Sequence, residues 1–244
     1  MEIHSDLPRE SCGSDESTLR ALHSVVKHLP KAPYIGDFAC GPGSSAIPLA
    51  QALPDAKILA VDRHPPFIRE TQRRADGAGV SKRVEAVVGD MLAPPLEAAS
   101  FDMIWSEGGI YNVGVEVGLR RWKNYLETGG IVVFNEPVWL TNEIDRPAAV
   151  SDFWSAYPAM TDGAGIKEII ESTGYQLLDS FGLPDRDWWD SYYTPIAEKL
   201  SAKEDKYKNN PTALLPLKAI RNEIAIRRQF PEHFNYHFYC LTLR

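Results

Sequence analysis

Residues 34–45, YIGDFACGPGSS, constrain this chain more than any other stretch, because a short apolar strand runs directly into a glycine-rich turn. A helix follows, with Ile47, Leu49, Ala50 and Leu53 as its apolar positions before Pro54 closes it. The first N–H groups of a helix have no partner inside it, so such a strand, turn and helix can meet an anionic group. Gly41 and Gly43 add conformational freedom and the absence of a Cβ, which close ligand approach requires. The stretch is a candidate ligand site.

Residues 41–46 also satisfy the G-x-G-x-x-G/A pattern of dinucleotide-binding turns, so a nicotinamide-dependent oxidoreductase is one reading. Two flanking acids point elsewhere. Asp37 stands just before the turn, where a carboxylate suits an ammonium and repels a pyrophosphate. Asp62 ends the next apolar run, about twenty residues past the glycines, at the spacing of an acid that meets ribose hydroxyls. A ligand with an amino acid at one end and a ribose in the middle fits both; S-adenosylmethionine is such a ligand.

At these residues the chain resembles the Rossmann-like (class I) S-adenosylmethionine-dependent methyltransferases. DFACGPG at 37–43 resembles that family's D-x-G-x-G-x-G loop, with Ala39 in place of the first glycine. Val61-Asp62 resembles its ribose-binding acid, and Val88-Gly89-Asp90-Met91 its adenine-side segment. Residues 102–112, DMIWSEGGIYN, resemble a bacterial subgroup of small-molecule methyltransferases related to the ubiquinone and menaquinone biosynthesis type. The resemblance implies an α/β, doubly wound, mostly parallel seven-stranded sheet with an antiparallel last strand and a helical insertion before it. It implies S-adenosyl-L-methionine as cofactor and S-adenosyl-L-homocysteine as product. Carried over by motif, Asp37 takes the methionine ammonium, and Ala39, Cys40, Gly41, Gly43 and Ser44 approach the methionine. Asp62 and Arg63 hold the ribose, Gly89, Asp90 and Met91 flank adenine, and Ser106 and Glu107 close the site.

With 244 residues, 44% of them hydrophobic, the chain suffices for one sizeable core, expected as one domain over 1–244 with 183–232 as the insertion. A formal charge of −7 argues against a nonspecific grip on nucleic acid. Cys12, Cys40 and Cys240 have no paired or metal-type spacing, which suits a reducing compartment. With no charged-then-apolar leader and no apolar run of about eighteen residues, a soluble cytoplasmic protein without a membrane partner is expected. The histidines are scattered, and His233 with His237 falls in a strand pattern, so no metal is expected. Periodicity leaves the oligomeric state open.

Along the chain, residues 1–13 read as polar and loosely ordered unless they fold over the ligand. Ser14 opens a helix with Leu19, Leu22, Val25, Val26 and Leu29 at helical spacing. Strands at 34–39, 57–62, 84–89, 101–106 and 130–135 then alternate with helices at 44–53, 66–77 and 115–126. Such units build a mostly parallel sheet that binds ligands beyond its strand carboxyl ends, which puts Asp37, Asp62, Asp90 and Glu107 along one rim. Helices at 148–157 and 165–173, a strand at 175–181, the insertion and a last strand at 234–243 follow.

Methyl transfer from a sulfonium needs alignment and desolvation, and a base only where the acceptor must lose a proton. Glu107 is the candidate base and Tyr111 the candidate orienting hydroxyl, both in the turn after the fourth strand. Tyr111, Asn112, Glu136, Trp139 and, from the insertion, Trp188 and Tyr193 are candidates for binding a small-molecule acceptor. A noncatalytic protein that keeps the S-adenosylmethionine fold is a further alternative, because no single catalytic residue is obligatory for this chemistry.

Overall fold

A computed structural model describes Ile3, residues 7–95 and residues 101–244. Seven strands, β1 (Tyr34–Phe38), β2 (Lys57–Asp62), β3 (Val84–Val88), β4 (Phe101–Ser106), β5 (Leu126–Trp139), β6 (Tyr175–Gly182) and β7 (Phe234–Leu243), form one sheet in the order β3-β2-β1-β4-β5-β7-β6. The first five pair in parallel, and β7 runs antiparallel to both β5 and β6.

The period-2 alternation of each strand sends successive side chains to opposite faces. Ile35, Ile58, Ala60, Met103, Trp105, Val133 and Phe238 face one layer, with helices α1 (Asp15–Val25), α2 (Ala46–Ala52) and α3 (Pro65–Gly77). Leu59, Val61, Ile104, Val132, Phe134 and Tyr239 face the other, with α4 (Val115–Trp122) and α6 (Gly163–Ser172). Trp105 and Trp122, one in each layer, are fully buried, and such a side chain contributes about 2–3 kcal/mol by leaving water. The remaining helices are α5 (Ala148–Trp154), α7 (Arg186–Trp188), α8 (Thr194–Lys206) and α9 (Pro211–Gln229). A π-helical turn, Trp189–Tyr193, joins α7 to α8. Segment 183–232 is thus mainly helical, and it sends Trp188, Tyr193, Ile196 and Ile224 into the first layer.

Local sequence sets the ends. Ser14 caps α1 by accepting from Ser17 N at 3.1 Å, and Pro65 opens α3 where a missing N–H costs little. Several details differ from the sequence reading. The helix expected over 115–126 stops at Trp122, and a 3-10 turn leads to Leu126, whose extended backbone already belongs to β5. β5 is longer than 130–135 because residues 127–130 bulge: Phe101 faces Leu126, whereas Met103 faces Ile131. Residues 7–13 are packed rather than loose, with Leu7, Arg9 and Cys12 all buried.

Candidate active site

β1 lies between β2 and β4, so the order of the strands reverses there and a crevice opens beyond the carboxyl ends of β1 and β4. The β1 turn is pinned from several sides. Cys40 N donates to Val61 O at 3.1 Å, Gly43 N to Cys40 O at 3.0 Å, and Thr71 Oγ1 to Gly41 O at 2.9 Å. Gly43 has φ 84°, and a Cβ there would press on Thr71. Ala39, where the family pattern has glycine, holds φ 55°, a left-handed conformation that costs an L-residue about 1–2 kcal/mol. Asp62 sits beneath the turn, accepting from Gly41 N at 3.0 Å and His64 N at 2.8 Å.

These elements enclose a cavity of about 270 Å³. Ala39, Cys40, Gly41, Ser44, Asp62 and Arg63 line one side, and Gly89, Met91, Glu107, Tyr111 and Asn112 the other. Glu10, Ser11, Val61, His64 and Phe67 also line it. Glu10 and Ser11 escaped the sequence reading because no periodicity or motif marks the amino-terminal segment; Phe67, three residues past Asp62-Arg63 and His64, read only as a helix position.

The single rim expected from the topology is broken by depth. Asp37 is fully buried behind the cavity wall, where its Oδ2 accepts from Ser45 Oγ at 2.8 Å and its Oδ1 has no partner. Desolvation pushes its carboxyl up to about 8, against the lowering effect of the Ser45 bond. Asp90 is exposed and caps its own turn, accepting from Leu92 N at 2.8 Å. Gly43 and Ser106 support the loops without lining the cavity, and Ser106 Oγ is buried without a partner.

Glu107, the candidate base, already accepts three hydrogen bonds. Its Oε2 accepts from Arg9 Nη1 at 2.9 Å, and its Oε1 accepts from Thr18 Oγ1 and Trp105 Nε1, each at 2.8 Å. Arg9 also donates to Asp15 Oδ1 at 2.8 Å and to Ser44 O at 3.2 Å. Arg74 of α3 holds the same segment, donating to Leu7 O at 2.6 Å and Pro8 O at 2.8 Å. Gly108 lets this arm lie on the β4 turn: it has φ 62°, and a Cβ there would overlap the Ser11 side chain. On the other side the arm meets the insertion, with Gly13 N donating to Asp187 O at 3.0 Å and Ser17 Oγ to Asp187 Oδ2 at 2.5 Å.

A second cavity, of about 140 Å³, lies between arm and insertion and shares Glu10, Ser11 and Tyr111 with the first. Trp188 and Tyr193 line it as well. Glu136 and Trp139 line neither cavity. Glu136 is buried, accepts from Tyr157 OH at 2.6 Å, and is pushed up to about 8 by desolvation. Trp139 donates to Met160 O at 3.1 Å, and the Arg146 guanidinium covers its ring at 3.9 Å, so its aromatic face is already taken. Among the described residues no cluster of His, Cys, Asp or Glu side chains could hold a metal ion, and no helix is long and apolar enough to cross a membrane.

Comparison with known proteins agrees with this geometry. Residues 35–130 match the family described as methyltransferase domain. The chain is 27% identical over 123 residues to the malonyl-[acyl-carrier protein] O-methyltransferase of Herminiimonas arsenicoxydans, spanning 50% of this chain and 44% of that protein. It is 31% identical over 152 residues to the ubiquinone/menaquinone biosynthesis C-methyltransferase UbiE of Cereibacter sphaeroides, spanning 62% of this chain and 60% of that protein. The matches therefore cover less than two thirds of either relative's length. In fold the chain is similar to an S-adenosylmethionine-dependent methyltransferase from Geobacter sulfurreducens in complex with S-adenosyl-L-homocysteine, with TM-score 0.81, 17% identity, and 99% and 96% of the two chains covered. Residues 35–130 thus match a methyltransferase domain, and the chain has the fold of that S-adenosylmethionine-dependent methyltransferase.

Proposed function

We propose that the protein transfers a methyl group from S-adenosylmethionine to a small-molecule acceptor by in-line displacement. The observation that carries this reading is the pair of adjoining cavities: one at the switch point of the sheet, over the glycine turn and Asp62, and a smaller aromatic one joined to it through Tyr111. The residues present fit the donor. Gly41 lets the backbone approach, Asp62 offers a carboxylate to a ribose, and Val61, Phe67 and Met91 give an apolar wall to a base. Asp37, with one buried oxygen unpartnered, places acid character behind the loop that receives the amino-acid end.

When bound, S-adenosylmethionine supplies an electrophilic methyl group on a sulfonium. The protein's part is then positioning and exclusion of water. Tyr111, at the junction of the cavities, orients the acceptor through its hydroxyl. Glu107, whose two oxygens already accept three hydrogen bonds, is assigned to holding the arm over the site rather than to taking a proton. The protein's three cysteines, buried and free, support a reducing compartment, the cytoplasm, as its location.

Calorimetric titration with S-adenosylmethionine, S-adenosylhomocysteine and NADH tests the reading. Binding of both sulfur ligands with no NADH signal is expected, and NADH binding alone would favour the oxidoreductase. Asp62→Ala is expected to weaken S-adenosylhomocysteine about tenfold or more, by loss of a charge-assisted hydrogen bond; unchanged affinity would remove the ribose assignment.

A further inference from the structure

The second cavity has a definite chemical character, and on it we propose that the methyl acceptor is a small amine that enters as its ammonium. This deepens the methyltransferase reading and rests on it. Two carboxylates, Glu10 and Glu223, line the cavity, and among the described lining residues there is no Lys, Arg or His. Most of the remaining wall is aromatic, with Tyr111, Tyr192 and Tyr236 among the rings. An ammonium is attracted both by carboxylates and by the negative faces of aromatic rings, whereas an anionic acceptor would meet two carboxylates of its own sign.

The charges around the cavity are arranged accordingly. Glu223 accepts from Tyr193 OH at 2.8 Å, which fixes the carboxylate against the wall. Arg227, one helical turn on, is tied behind the wall: it donates to Asp185 Oδ1 and Phe234 O, each at 2.8 Å, and its guanidinium sits 4.2 Å over the Trp188 ring. One Trp188 face is therefore occupied, and the tyrosine rings, with Phe153 and Trp154, are the other aromatic surfaces of the cavity. Trp154 lines the same cavity, and its indole N–H is buried without a partner. It suits a hydroxyl or carbonyl oxygen on the amine. At about 140 Å³ the space is below the roughly 300–1,000 Å³ of drug-sized sites, so the acceptor is compact.

Glu10 lines both cavities, so it stands where the proton must leave. The ammonium gives a proton to the Glu10 carboxylate, and the freed nitrogen lone pair attacks the methyl carbon. A nitrogen–carbon bond forms as the carbon–sulfur bond breaks, its electron pair staying on sulfur. The positive charge moves from sulfur to the methylated nitrogen, which remains matched to Glu223 and the rings.

The test uses three branched probes of nearly equal shape at neutral pH: N,N-dimethylethanolamine, a cation; 3-methylbutan-1-ol, neutral; and 3-methylbutanoate, an anion. Each is titrated into the purified protein with and without saturating S-adenosylhomocysteine. The amine is expected to bind about tenfold more tightly than the alcohol, with no signal from the anion. Glu223→Gln, which keeps the acceptor atom for Tyr193, is expected to erase that preference and leave S-adenosylhomocysteine affinity unchanged. Equal or tighter binding of the alcohol or the anion, no binding of any probe, or an undiminished preference in Glu223→Gln would overturn the proposal. Failure of the donor reading appears separately: the amine preference would persist while S-adenosylhomocysteine gave no signal.

Discussion

At the scale of single residues, Ala39 and Glu107 carry costs that the sequence does not announce. Ala39 adopts a left-handed conformation where glycine is conformationally free. Ala39→Gly removes that strain while loosening the unfolded chain, so its stability is expected to lie within about 1 kcal/mol of wild type, or above it, by denaturant titration. A loss of several kcal/mol would mean that the Ala39 methyl group is needed for packing. Glu107→Gln is different. Arg9 is buried against Glu107, and removing that charge leaves Arg9 only the exposed Asp15 carboxylate, so a loss of about 3 kcal/mol is expected in the same measurement. Unaltered stability would show that Glu107 does not hold Arg9 in solution. Asp62 was legible because its distance from the glycines is itself a chemical constraint. Arg9 was not: one arginine in a polar segment carries no period, and its partner lies 98 residues away.

At the scale of elements, the alternation of strands and helices was readable because each unit has a period, but the arm over residues 7–13 has none and is held by the burial of Leu7 and Cys12 and by hydrogen bonds, many of them to residues far along the chain. Arg74 supplies two of them and is itself braced by Glu70 at 2.6 Å. The Glu70 carboxyl is held down at about 2, chiefly by its hydrogen bond from Arg73 and also by Arg74. Arg74→Ala is expected to release the arm, seen as several-fold faster tryptic cleavage after Arg9, with S-adenosylhomocysteine restoring protection. Cleavage at the wild-type rate would show that Arg9 and its partners suffice. Trp139 illustrates the converse limit: the sequence put it beyond a strand ending at 135, whereas it is the last residue of β5, and nothing in the sequence could reveal that Arg146 covers its ring.

At the scale of the whole molecule, Asp37 and Glu136 are buried acids on neighbouring parts of one sheet, both pushed up to about 8 by desolvation. Their unfolded values lie near 4, so between about pH 4 and 8 the folded state binds the extra protons. Their contribution is fully present below pH 4 and is lost as pH rises through about 8. Thermal stability is expected to fall across that window. Glu136→Gln, whose amide oxygen still accepts from Tyr157, is expected to flatten the profile and be more stable by on the order of 1–3 kcal/mol near pH 9. A profile parallel to wild type would show that Glu136 keeps an ordinary acidity. The number of strands and the antiparallel last one were legible through the family resemblance, whereas the order β3-β2-β1-β4-β5-β7-β6 came only from the structure, because periodicity cannot say which strands are neighbours.

β7 lies between β5 and β6, antiparallel to both. On a ribosome, β6 therefore emerges with no strand to pair with, its outer neighbour in the chain being a helical segment, and it must wait until residues 234–243 have been made. The sheet cannot close progressively as the chain lengthens. Its final step is the threading of one ribbon between two others, and until then two rows of backbone amides and carbonyls remain exposed to misassociation.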